Sequence, residues 1–186
     1  EMSRGLGDVY KRQVVVATDY FDAFIRNNGL EYVLTTEMTD EEILSEFVSS
    51  TLPYKLREAL KAYVRTVSGP LAVRSSSKLE DSHYQPFAGI YNTYMIPYLD
   101  DKYEMLRMLS DAIKGVYASV YFRDSKAYMQ ATSNVIDQEK MAVILQEVVG
   151  NQYGDRYYPS MSGVARSLNY YPIGDERAEE GIVNLA

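Results

Sequence analysis

The chain has 186 residues and a formal charge of −7, with 19 Lys and Arg against 26 Asp and Glu. That balance argues against nucleic acid as a main partner, because phosphate backbones require clustered cations. The absence of cysteine excludes disulfides, thiolate zinc sites and a Cys nucleophile, and it fits a reducing, cytoplasmic setting.

The hydrophobic share of 46% suffices for a buried core. No apolar run reaches the length of a membrane span, so no membrane partner is expected, and no stretch reads as a secretory signal. Tyrosine is abundant, at 18 residues. Core and rim packing is its first reading, and a ligand-stacking or protein-binding face is the second.

Residues 1–13 show no clear period and read as a non-native or disordered tail. The expectation for 14–186 is an incomplete domain, truncated at both ends. Val14 to Ala17 is a short β-branched run and predicts a buried strand. Thr18 is placed to cap a helix through Arg26, with Phe21, Phe24 and Ile25 on one face and Asn28-Gly29 as its stop.

Thr39 and Glu42 have capping-box spacing for a second helix, whose apolar stripe is Ile43, Leu44, Phe47 and Val48. Pro53 opens a third helix, with Leu56, Leu60, Tyr63 and Val64 facing inward. Gly69-Pro70 breaks the pattern. Leu71 to Arg74 follows as a strand, Ser75 to Gln85 as a polar stretch, and Gly89 to Met95 as another strand.

Tyr103 to Arg123 predicts the longest helix, burying Leu106, Leu109, Ile113, Val116 and Val120. Gly115 sits awkwardly in its middle, at about 1 kcal/mol relative to Ala. A shorter helix covers Ser125 to Ala131. Met141 to Val149 is a nearly continuous apolar strand, central in a sheet, with Gly150 to Ser160 as a turn and Ser162 to Ser167 as its hairpin partner. Glu179 to Ala186 begins a helical pattern. Helices and strands mix without regular βαβ alternation, which makes the class α+β.

The chemistry-bearing segment is Pro70 to Tyr94, PLAVRSSSKLEDSHYQPFAGIYNTY. An apolar strand delivers one cation, Arg74, at its end. A Ser-rich loop then offers hydroxyls and backbone N–H groups to an anion, and Gly89 lets backbone approach a ligand closely. The alternative is an Arg74 that pairs with Glu80 or Asp81 across a solvated turn. His83, the single histidine, reads as a loop surface residue.

AVRSSSKLEDSHYQPFAGIYNTY closely resembles the VRSSA…ED…FAG…T signature of the pyruvate-phosphate dikinase N-terminal family. That family includes phosphoenolpyruvate synthase, pyruvate phosphate dikinase, glucan water dikinase and the rifampin phosphotransferases. VVVATDYFDAFIRNNGL and MAVILQEVVGNQY…MSGVARSLNYYP resemble its flanking segments. The resemblance implies a partial ATP-grasp-like fold, in which two α+β lobes hold ATP.

It further implies that Arg74 contacts the ATP phosphates as the catalytic cation. Gly89 and Thr93 would line the phosphate channel, Ser75 and Ser76 would belong to a covering loop, and Gln146, Glu147 and Val149 would run along the adenine. The implied reaction passes a phosphoryl group from ATP to a histidine on a swivelling domain, then to pyruvate on a further domain of the same polypeptide. Mg²⁺ ligands are expected outside this chain, as is the family's phosphate-binding Lys, since Lys11 sits in no matching motif. The chain alone is therefore expected to bind ATP weakly or not at all and to be inactive. Alternatives are the ATP module of a glucan or antibiotic phosphotransferase, or a degenerate interaction module.

Overall fold

The computed structural model describes residues 13–77, 80, 91–131 and 139–186, with the side chains of 130 and 131 left aside. It divides into two compact units, residues 1–148 and 149–186, a boundary that falls inside the 14–186 stretch.

The first unit is α+β. Strand β1 (Gln13–Val16) leads into helix α1 (Thr18–Asn28). Thr18 is already helical: Ala17 holds the N-cap position and no side chain caps it, so the expected Thr18 cap is not made. Gly29 ends α1 at φ 64°, a left-handed conformation that favours glycine. A 3₁₀ turn over Leu30–Leu34, not anticipated, buries Leu30 and Val33.

Helix α2 (Asp40–Ser49) carries the expected capping box: Thr39 Oγ1 accepts from Glu42 N–H and Glu42 Oε2 accepts from Thr39 N–H. Helix α3 (Tyr54–Tyr63) follows Pro53 and buries Leu56 and Leu60. Helix α4 spans Lys102–Ser119, and Asp101 caps it by accepting from the N–H groups of Tyr103 and Glu104. It ends before the expected Arg123, and a separate helix α5 runs Arg123–Ala131. No helix among the described residues is long and apolar enough to cross a membrane.

Strand β2 covers Leu71–Ser77, β3 covers Tyr94–Ile96 and β4 covers Met141–Glu147. They join β1 in one antiparallel sheet of order β1-β4-β2-β3. Two expectations are corrected here. Ser75, Ser76 and Ser77 belong to β2 rather than to a loop, because their backbone groups pair with Val143, Ala142 and Met141. Tyr91, Asn92 and Thr93 precede β3 rather than lying in a strand.

Side chains alternate across a strand. Leu71, Val73, Met141, Val143 and Leu145 point to one face and are fully buried with α1, α2 and α4. An aromatic knot fills this core. Phe24 lies 5.7 Å from Phe47 and 5.5 Å from Tyr117 between ring centroids, and Phe21 meets Tyr117 edge-on at 5.1 Å. Such pairs add about 0.5–1.5 kcal/mol beyond area burial. The Tyr117 hydroxyl is buried with no hydrogen-bond partner among the described residues, which costs about 1–3 kcal/mol. Gly115 also finds its reason: a methyl there would meet the Tyr94 hydroxyl at 2.6 Å.

The buried tyrosines make the fold sensitive to alkali. Burial, then the charge of Glu147, raises the Tyr63 phenol from 10.0 to about 12. Burial likewise raises Tyr91, Tyr117 and Tyr121, with Glu139 adding to the first and Asp22 and Glu31 to the last. Above the unfolded value the unfolded chain loses protons that the folded chain keeps, so stability falls as pH rises. For Tyr63 that loss runs between 10.0 and about 12. The urea midpoint is expected to stay level below about pH 9 and to fall steadily above about pH 10. A midpoint that rises in alkali contradicts this.

The second unit holds two hairpins. Strands β5 (Asn151–Tyr153) and β6 (Arg156–Tyr158) pair with each other, as do β7 (Gly163–Arg166) and β8 (Ile182–Leu185). Three expectations are thereby corrected. The 150–160 turn contains a two-stranded ribbon, 162–167 pairs with β8 rather than with β4, and the helix expected from Glu179 is a 3₁₀ turn at Ala178–Glu180 followed by a strand. Asn169 is its one buried residue; it accepts from Tyr171 N–H and donates to Glu176 at 3.0 Å each.

Candidate nucleotide-binding face

The sheet's second face contains none of the buried core residues. Its side chains are the even-numbered ones of β2 and β4, with Gln13, Val15 and Met95 from the edge strands. The register sets them in rungs. Val15, Ile144 and Arg74 form one rung; Gln13, Gln146, Ala72 and Met95 form the next; Ser76 and Ala142 form a third. Val15 and Met95 are each 61% exposed. The β2–β3 pairing ends with Val73 opposite Tyr94, so the next positions along the two chains are Arg74 and Thr93.

Arg74 is exposed and donates from Nη1 to Gln146 Oε1 at 3.4 Å. Among the described residues it pairs with no carboxylate. Glu80, one of its expected partners, instead accepts from Ser75 Oγ at 2.8 Å and from Ser77 N–H at 3.1 Å. Asp81 lies outside the described residues. A guanidinium with open donors beside a side-chain amide, on a face that also carries Val15 and Ile144, offers a planar fork for phosphate and an apolar bed for a ring.

The predicted site residues separate by strand parity. Arg74, Ser76 and Gln146 share the outer face, and Thr93 lies next to its edge. Ser75 and Glu147 point to the other face. Ser75 is engaged with Glu80, and Glu147 accepts from Ser68 N–H at 3.1 Å and Ser68 Oγ at 2.8 Å, holding the turn before β2. Val149 is exposed and falls in the second unit. Gly89 and His83 lie outside the described residues.

Tyr91 anchors the stretch before Thr93: its hydroxyl donates to buried Glu139 at 3.3 Å, just ahead of β4. Val15, Ile144 and Met95 were missed by sequence reasoning. The alternation within QVVV and MAVILQE carries them only once the strand pairing is known. Among the described residues no group of three or more His, Cys, Asp or Glu is placed to hold a metal.

A phosphotransferase of Bacillus subtilis (strain 168), the uncharacterized YvkC, is 26% identical over 162 residues. The match covers 83% of this chain and 17% of that protein, so the chain spans a small part of its relative's length. Residues 1–186 also match the family described as the pyruvate phosphate dikinase AMP/ATP-binding domain. With a match that runs its whole length, the chain belongs to the pyruvate phosphate dikinase AMP/ATP-binding domain family.

Proposed function

We propose that the outer face of the β1-β4-β2-β3 sheet is one wall of an ATP site. The adenine lies over Val15 and Ile144 beside Gln146, and the triphosphate runs toward Arg74, Thr93 and Ser76. The observation that carries this reading is that Arg74 shares a face with Gln146 and has no carboxylate partner among the described residues.

Gly89 keeps its role beside the phosphates on resemblance alone. Ser75 and Glu147 act from the opposite face, holding β2 and its entry turn in place. The full reaction passes the terminal phosphoryl group to a histidine on another domain and then to pyruvate. A second lobe of an ATP-grasp-like fold completes the cleft and supplies the ligands for Mg²⁺. The contribution of this chain is positioning and charge neutralisation, which dominate phosphoryl transfer. The Bacillus relative is named a phosphotransferase, which agrees with the reaction class. Calorimetric titration of the chain and of its Arg74→Ala variant with Mg-ATP tests the reading, and unchanged affinity in the variant would sink it.

A further inference from the structure

We propose that a cavity on the helical side of the first unit is a second anion site, suited to a small phosphorylated molecule. It opens between the α2–α3 turn and α4 and measures about 460 Å³. In a chain of net charge −7, its walls carry Arg57, Lys61, Arg107 and Lys114 and a single carboxylate, Asp111. No strand residue lines it, so it is separate from the outer sheet face.

The cations come from two helices and converge. Lys114 is fixed at the floor, its side chain 12% exposed, donating to Val48 O at 2.8 Å and to Asp111 at 3.3 Å. Arg57 lies over the ring of Tyr54 and has no carboxylate partner among the described residues. Lys61 pairs with Glu58 on α3, and Arg107 pairs on α4 with Glu104 and, at 3.5 Å, with Asp111. The Lys61–Glu58 pair is exposed and weak and yields readily to a multivalent anion, whereas Glu104 holds Arg107 with two bonds and competes with one.

Ser49 and Thr51 add hydroxyls at the rim that make no hydrogen bond among the described residues. The open guanidinium fork of Arg57, two ammonium groups and two hydroxyls around a recess of this size, with Arg107 beside them, match the donor demand of a phosphate or diphosphate group. The volume lies in the range of small-ligand cavities.

Inorganic pyrophosphate is the probe, read by backbone amide NMR shifts on the whole chain. The amides of Ser49, Ser50, Thr51 and Leu52 are expected to move in a saturable way. Arg57→Ala with Lys61→Ala, both on the exposed face of α3, should weaken that response at least about ten-fold. Arg57→Gln alone should weaken it less, and Arg74→Ala should leave it unchanged. The proposal fails if those amides stay still at millimolar pyrophosphate, if the double variant responds like the wild type, or if the response disappears in Arg74→Ala.

Discussion

Arg74→Ala is expected to weaken Mg-ATP binding roughly ten- to a hundred-fold while leaving the fold intact. A charge-assisted hydrogen bond to an ionised group contributes about 1.5–3 kcal/mol, and each 1.4 kcal/mol is about ten-fold in affinity. The guanidinium is exposed and its one hydrogen bond within the fold is a 3.4 Å contact to Gln146. Its loss should therefore move the urea midpoint little, within about 0.5 kcal/mol of stability. Arg74→Lys should fall between the two, because an ammonium keeps the charge but not the bidentate fork. Calorimetry paired with urea unfolding separates the outcomes. A variant that loses stability rather than affinity makes Arg74 a structural residue.

Phe24→Ala is expected to have the largest effect on stability. Phe24 is 0% exposed and contacts Phe47 and Tyr117 in the aromatic knot beneath the sheet. Removing a buried phenyl loses its transfer free energy and leaves a cavity, at about 3–5 kcal/mol. Domains of this size are stable by about 5–15 kcal/mol, so the change consumes a large part of the total. The Phe47 ring also lies 5.4 Å from that of Tyr121 between centroids, and relaxation around the hole would disturb α2 and α4, which carry Phe47 and Tyr117. Urea unfolding followed by circular dichroism measures it. A loss below about 1 kcal/mol would mean that the core collapses around the cavity. Tyr54→Ala, at a ring 68% exposed, is the matched control with little expected change.

The helical half of the fold was legible because its signals are local. The Thr39–Glu42 box, the Asn28-Gly29 stop and the 3.6-residue stripes of α2 and α3 each lie within one or two turns. The strands were harder. Ser75 to Ser77 looked like loop by composition, yet Ser77 is buried and Glu80 holds both Ser75 and Ser77, so side-chain carboxylate bonds stand in for apolar burial. In the second unit the short ribbons bury almost nothing, so no apolar alternation marks them. The β7–β8 pairing joins residues 163–166 to 182–185, a choice no local window can make.

The candidate site shows the same limit. Sequence reasoning selected runs, Arg74-Ser75-Ser76 and Gln146-Glu147, whereas a strand presents every second residue to one face. The motif thus holds two sets of side chains. Arg74, Ser76 and Gln146 face outward, while Ser75 and Glu147 secure the backbone behind them. The apolar neighbours Val15 and Ile144 escaped notice because VVV and MAVIL are apolar on both faces and hide which side chains are buried. Gly115 looked like a defect because its partner, Tyr94, is distant in sequence.

Methyl NMR is the most direct test, since the two faces of this unit carry different methyl groups. Titration with Mg-ATP should shift the methyls of Val15 and Ile144 on the outer face and leave those of Leu56 and Leu60, buried on α3, unmoved. Shifts confined to that second set, or no shift of Ile144 at saturating nucleotide, would contradict the assignment of ATP to the outer face of the sheet.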